Sequence, residues 1–192
     1  VGEENKGWTY AKYLLTYERT NIAGVGFSVA GLERLKIAAD RMQYKGRPLS
    51  HDPLFAARMA RVEIDLENMK TTNLRVIAAA AGAAAAGAAA ADAAAADAAA
   101  AGGGAPGAES SMLKIKGTEI RQEIFSLMRR AMGPYAAPYI EAARDLEYGE
   151  PLVGPQEAVS AAAAYFNHRK LSIFGGSNEI QKNIISKMIL GL

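Results

Sequence analysis

The sequence predicts an all-α protein folded as an up-and-down helical bundle. Three observations lead there. Apolar residues recur at steps of three and four along several segments. No stretch alternates with period two over a useful length. The breaks between segments carry helix-start and helix-stop chemistry.

Taken in order, residues 1–7 read as a loop. From Trp8 an apolar stripe at helical spacing runs through Tyr10, Leu14, Ile22, Val25, Val29 and Leu32, with Glu18 standing on it. Lys45-Gly-Arg-Pro48 is turn chemistry. Asp52-Pro53 is a helix start, a capping carboxylate followed by proline at the first helical position. The second helix carries Phe55, Met59, Val62, Leu66 and Met69, a seam suited to bundle packing. A third begins near Ser110-Ser111 and continues through Leu113, Gly117, Ile120, Ile124, Leu127 and Ala131, and Gly133-Pro134 stops or bends it. Gly154-Pro155 opens a further helix to about Arg169. The last runs from Ser177 to Ile189 and is expected to bury Ile180, Ile184 and Met188.

Between the second and third helices lies Ala78–Ala101, blocks of AAAAG and AAAAD. A five-residue period drifts around a helix and makes no single face. Alanine favours helix, so the run extends the second helix, although Gly82 and Gly87 each cost about 1 kcal/mol. With no large side chains it reads as a functionally neutral insertion within one domain covering 1–192. Gly102-Gly-Gly-Ala-Pro106 is a flexible link.

Composition narrows the function classes. The chain has 192 residues and a net charge of +2 with acids and bases interspersed, which gives no nucleic-acid signature. It has no cysteine, hence no disulfide framework and no thiol-ligated metal, and its only histidines are His51 and His168. No metal site is expected. The composition is compatible with a reducing cytosol, and the expected location is cytoplasmic. The alanine run is long enough to span a bilayer but carries Asp92 and Asp97 and no Leu, Ile, Val or Phe, so no membrane span is expected.

Two segments carry chemistry. Leu171-Ser-Ile-Phe-Gly-Gly-Ser-Asn-Glu-Ile-Gln-Lys-Asn-Ile184 is a glycine loop opening a helix, where Ser177 can cap and free N–H groups can meet an anion. Glu18 is a carboxylate on an apolar stripe. Burial raises the pKa of such a group and suits it to general-base work, while a structural carboxylate paired with Arg19, or one facing water, is the plainer alternative.

The C-terminal string resembles the signature of acyl-CoA dehydrogenases, Ile-Tyr-(Glu or Gly)-Gly-(Thr or Ser)-x-Glu-Ile-Gln. The resemblance implies that Ser177 and Glu179 contact the flavin dinucleotide, FAD. Leu15-Thr-Tyr-Glu-Arg-Thr-Asn-Ile-Ala-Gly24 resembles the segment where long-chain and isovaleryl-type members place their catalytic glutamate before an arginine. Short- and medium-chain members place it directly before the second glycine of the C-terminal motif, where this chain has Gly175. The resemblance therefore implies that Glu18 is the catalytic base, with Arg19 and Gly175 on the substrate side.

Arg41-Met-Gln-Tyr-Lys-Gly-Arg-Pro-Leu49 resembles the Arg-x-x-Phe-Gly segment that meets the flavin pyrophosphate from a neighbouring subunit, which implies cofactor roles for Arg41 and Tyr44. Ser110-Ser-Met-Leu-Lys-Ile-Lys116 resembles the Ala-Ser-x-x-Lys start of a bundle helix and carries no expected site role. The chain departs from the family at Tyr148-Gly-Glu-Pro-Leu-Val-Gly-Pro155, which stands where Gln-x-x-Gly-Gly-x-Gly is usual.

The resemblance matches the C-terminal helical domain only, so the chain reads as the C-terminal part of a longer enzyme. It implies an FAD-dependent α,β-dehydrogenase of acyl-CoA thioesters that passes electrons to electron transfer flavoprotein and works as a homo-oligomer, dimer or tetramer. Two alternatives stand beside it. One is a non-catalytic or half-site subunit of a hetero-oligomer; the other is a purely structural helical bundle.

Overall fold

The computed structural model describes residues 2–11, 23–89, 108–141, 143 and 149–192. Its helices are α1 (Val25–Arg41), α2 (Pro53–Ala89), α3 (Ala108–Met132), α4 (Ala158–His168) and α5 (Asn178–Ile185), with residues 7–11 also helical. The bundle is assembled around α3, which packs against each of the other four. Contacts give the directions. Gly117 and Ile124 of α3 meet Ala23 and Gly31 in the same order, so α1 and α3 run parallel. Arg58 pairs with Glu123, and Met69 shares a groove with Leu113, so α2 runs antiparallel to α3. The all-α, up-and-down reading holds among the described residues.

The second-helix seam packs as its spacing demands: Phe55, Val62, Leu66 and Met69 are buried, with Met59 half-buried beside them. They meet Leu32, Leu35, Ala38 and Ala39 of α1 and Leu113, Ile120, Ile124 and Leu127 of α3. The start of α2 is capped as expected, the Phe55 amide donating to Asp52 Oδ1 at 2.9 Å. The alanine run extends α2 as far as Ala89. Gly133, at φ 54°, ends α3 before a short 3₁₀ turn. The turn after α1 is a two-residue antiparallel hairpin pairing Gln43 with Pro48 and Tyr44 with Arg47. Lys45 at φ 52° and Gly46 at φ 76° sit at its centre, the paired left-handed residues such a tight hairpin needs.

Three expectations are corrected. The stripe from Trp8 to Leu32 is not one helix. Gly24 stands left-handed before α1 at φ 58°, ψ 42° and breaks it. The cause is tertiary: a Cβ on Gly117 would lie 2.4 Å from the Ala23 carbonyl oxygen, so backbone is pressed on backbone at this turn. Trp8 and Tyr10 are exposed, and Leu14, Glu18, Arg19 and Ile22 lie outside the described residues. The fourth helix starts at Ala158, three residues beyond Pro155. Most consequentially, α5 does not bury Ile180 and Met188, which are 52% and 59% exposed, and Ile184 is half-buried. The residue α5 turns inward is Gln181.

α4 is pinned to α3 by polar and aromatic contacts. Gln122 Nε2 donates to the carbonyl of His168 at 3.2 Å, and its Oε1 accepts from Arg169 at 2.6 Å. The His168 ring stacks on Phe125 with centroids 3.6 Å apart, and its Nδ1 lies 2.7 Å from the Ala164 carbonyl oxygen. Burial pushes this imidazole below its ordinary 6.5; the Ala164 carbonyl draws it up, and the charges of Arg121 and Lys170 push it down. With the folded pKa depressed, the unfolded chain binds more protons just below pH 6.5. The contribution is thus complete above pH 6.5 and is lost as pH falls toward the folded value. The slope for one proton is at most about 1.4 kcal/mol per pH unit. His168→Phe keeps a ring on Phe125 and should flatten this component. Melting curves of both proteins from pH 7.5 to pH 5.5 check it, and parallel acid slopes would refute it.

Candidate functional site

The C-terminal motif folds into one compact corner. Gly175 and Gly176 take φ 67° and 83°, conformations that side chains rarely adopt, and turn the chain into α5. The Gln181 amide fills the turn, its Nε2 donating to the Gly175 carbonyl at 3.1 Å. A Cβ on Gly176 would lie 2.4 Å from that nitrogen. The glycine pair thus serves packing inside the chain as well as any approach from outside.

Ser177 is the N-cap of α5, its Oγ accepting from the Ile180 amide at 3.4 Å. Glu179, in the first turn, is exposed. Its carboxyl is held below the ordinary 4.5, first by its own backbone N–H, then by the Ser177 hydroxyl, with Lys182 and Lys114 adding charge. It is an ionised acceptor, aimed outward at a helix N-terminus.

Between those two residues Asn178 turns the other way. Its Oδ1 accepts from Lys114 Nζ at 2.9 Å; the Thr118 hydroxyl, which donates to the Ile115 carbonyl at 2.8 Å, lies 3.4 Å from the same oxygen. Lys114 and Thr118 are buried in α3, as are Ser110 and Ser111 one turn before. Burial pushes the Lys114 ammonium below its ordinary 10.5, and Glu179 pulls it back up. Sequence reasoning gave Lys114 no site role and did not single out Asn178. The available signal was a polar stripe on α3, Ser111, Lys114, Thr118 and Arg121, which looks in sequence like a solvated face.

The Arg41 and Tyr44 pair lies elsewhere. Arg41 ends α1, where its Nη1 is 3.2 Å from Glu157 Oε1 in an exposed ion pair just ahead of α4. Tyr44 is 46% exposed on the hairpin, with Lys45 Nζ 5.1 Å from its ring centroid. The far end of α4 is the one that meets Gln122 and Phe125. Arg41 is therefore set off from the Ser177–Glu179 corner by at least the length of α4, about 16 Å at 1.5 Å per residue. One copy of the chain does not bring Arg41 and Glu179 together. Glu18 and Arg19 lie outside the described residues; the turn that follows them, Ala23–Gly24, is fully placed against α3 by Gly117 and by Arg121, whose Nη2 donates to the Ala23 carbonyl at 3.4 Å.

The family model of the acyl-CoA dehydrogenase C-terminal domain matches residues 5–190. This chain belongs to the acyl-CoA dehydrogenase family. A curated relative, acyl-CoA dehydrogenase FadE26 of Mycobacterium tuberculosis, is 28% identical over 193 residues, which cover all of this chain and 42% of the relative. The chain thus spans less than half the length of that enzyme.

Solved structures share the fold. The ChsE4–ChsE5 complex from Mycobacterium tuberculosis aligns with TM-score 0.66 at 23% identity, over all of this chain and 42% of the other. An acyl-CoA dehydrogenase from Geobacillus kaustophilus aligns at 0.67 and 23%, covering 100% and 41%. Glutaryl-coenzyme A dehydrogenase in its glutaryl-CoA complex aligns at 0.67 and 18%, covering 100% and 40%. Among the described residues no helix is long and apolar enough to cross a membrane.

Proposed function

We propose that this chain is the C-terminal helical domain of an FAD-dependent dehydrogenase that introduces an α,β double bond into a CoA thioester. The observation that carries the reading is the family match over residues 5–190, which takes in both the Glu18–Arg19 segment and the glycine corner.

The exposed side chains suit a flavin dinucleotide. Among the described residues Arg41 is a guanidinium held by a surface ion pair, free to exchange Glu157 for phosphate oxygens. Glu179 is an ionised acceptor and would repel phosphate, so its partners are hydroxyl or N–H groups of the cofactor. Ser177 adds a hydroxyl beside it, and Tyr44 an exposed ring for stacking. The distance between the two groups within one copy supports a cofactor shared between copies, hence a homo-oligomer, dimer or tetramer.

Bound flavin supplies the acceptor for the substrate's β-hydride. The chain's own part is proton chemistry and positioning. The Glu18 carboxylate takes the α-proton, with Arg19 beside it on the substrate side. Gly175 leaves the alternative base position without a carboxylate and opens room for the thioester. Electrons then pass to electron transfer flavoprotein, and the expected compartment is the cytoplasm.

The test uses the intact protein. Purified, it should carry FAD stoichiometrically, and a panel of acyl-CoA thioesters should include at least one that bleaches the flavin absorbance without oxygen. The isolated chain of residues 1–192 should bind FAD weakly or not at all. An intact protein without flavin would favour a structural bundle. Flavin that no acyl-CoA reduces would favour a half-site subunit of a mixed oligomer.

A further inference from the structure

Lys114 is fully buried in α3, yet its hydrogen bond goes to a neutral amide, Asn178 Oδ1, at 2.9 Å. Its charge meets Glu179 only through space. Taking an ammonium out of water costs several kcal/mol, and a neutral amide compensates little of it. Apolar side chains such as Leu113 and Ile120 already fill the α3 interface, so packing alone would be served as well by a methionine, the unbranched apolar side chain nearest lysine in length. The cation at this place needs another explanation.

Its contacts suggest one. Ser177, Asn178 and Glu179 are consecutive at the start of α5. Ser177 caps the helix and Glu179 points outward, while Asn178 is drawn inward by Lys114, with the Thr118 hydroxyl 3.4 Å from the same oxygen. Fixing the middle residue of the turn fixes the directions of its two neighbours. The same positive charge, behind the Glu179 carboxylate, helps keep it ionised.

We propose that Lys114 is a positioning residue: a buried cation that locks the Asn178 amide and so aims Ser177 and Glu179 at the flavin. This rests on the flavin reading above. Lys114 does not touch the cofactor; it acts through Asn178.

The experiment compares Lys114→Met, Asn178→Ala and the double variant with the parent, in the intact protein. FAD titration of the apo-protein should show the dissociation constant rising about tenfold in each single variant, the loss of one charge-assisted hydrogen bond. The double variant should be no weaker than the weaker single, because the two residues form one tether. Amide exchange at Ile180 and Gln181 should quicken in both apo single variants. The apo melting temperature of Lys114→Met should stay at or above the parent's, because a poorly compensated buried ammonium is gone, while Asn178→Ala, which leaves that ammonium without its partner, should melt lower.

FAD affinity in Lys114→Met within about twofold of the parent would overturn the proposal, as would additive losses. So would a fall in affinity in Lys114→Met that merely follows a fall in its apo melting temperature. If Lys114→Met does not fold, Asn178→Ala decides by FAD affinity and amide exchange, read at a temperature where it is folded. A parent that takes up no FAD would sink the flavin reading instead, and the exchange data would still report whether the tether exists.

Discussion

Glu18→Gln in the intact protein is expected to keep its flavin, to bind acyl-CoA, and to be reduced by substrate about 10²–10⁴-fold more slowly, the usual contribution of a positioned base. Glutamine keeps the shape and much of the hydrogen bonding of glutamate but cannot accept the α-proton. The loss should therefore fall on the reductive half-reaction, with the dissociation constant of a non-reacting acyl-CoA analogue nearly unchanged. A carboxylate returned by Gly175→Glu in the same background should recover part of the rate, since the resemblance puts the base at one or the other of these two positions. Rapid-mixing absorbance of the flavin measures both. Unchanged reduction by Glu18→Gln would place the base in a part of the enzyme outside this chain.

Much of the bundle is legible in the sequence because periodicity and capping are local. Phe55, Val62, Leu66 and Met69 share a face whatever they meet, and Asp52-Pro53 starts a helix wherever it lies. What periodicity does not say is what a face meets. Ile180, Ile184 and Met188 share a stripe on and just beyond α5, yet Gln181 goes inward, because its amide satisfies the Gly175 carbonyl in the turn below. The reverse error occurs on α3. Ser111, Lys114 and Thr118 look solvated by composition and are buried; the start of α5 gives Lys114 a polar partner there, the Asn178 amide.

The site divides the same way. Ser177 as a cap follows from residue type and position. That Arg41 and Glu179 do not converge depends on how α4 runs along α3, which no local pattern encodes. The break at Gly24 is equally non-local, its cause being Gly117 on another helix.

That contact yields the prediction with the largest expected effect on the fold. Gly117→Ala lies within α3, where helix propensity alone would stabilise by about 1 kcal/mol. The added methyl, however, would sit 2.4 Å from the carbonyl oxygen of Ala23, 2.7 Å from its Cα and 2.9 Å from its carbonyl carbon. These are backbone atoms of a residue with 0% exposure, whose carbonyl also accepts from the Arg121 guanidinium one turn along α3, so no flexible side chain can step aside. Overpacking of this kind costs about 1–3 kcal/mol and occasionally more, enough to reverse the propensity gain. Gly82→Ala is the control: it makes the same exchange within α2, at a glycine with nothing within 4 Å. Gly82→Ala should raise the melting temperature slightly. Gly117→Ala should lower it by several degrees, at about 2–4 °C per kcal/mol for a chain of this size. The Ala23–Gly24 turn follows the segment bearing Glu18, so Gly117→Ala should also lower the rate of flavin reduction in the intact enzyme, while Gly82→Ala should leave it alone. Equal stabilisation by both substitutions would mean that the turn yields freely, and that neither α1 nor the proposed base depends on its place against α3.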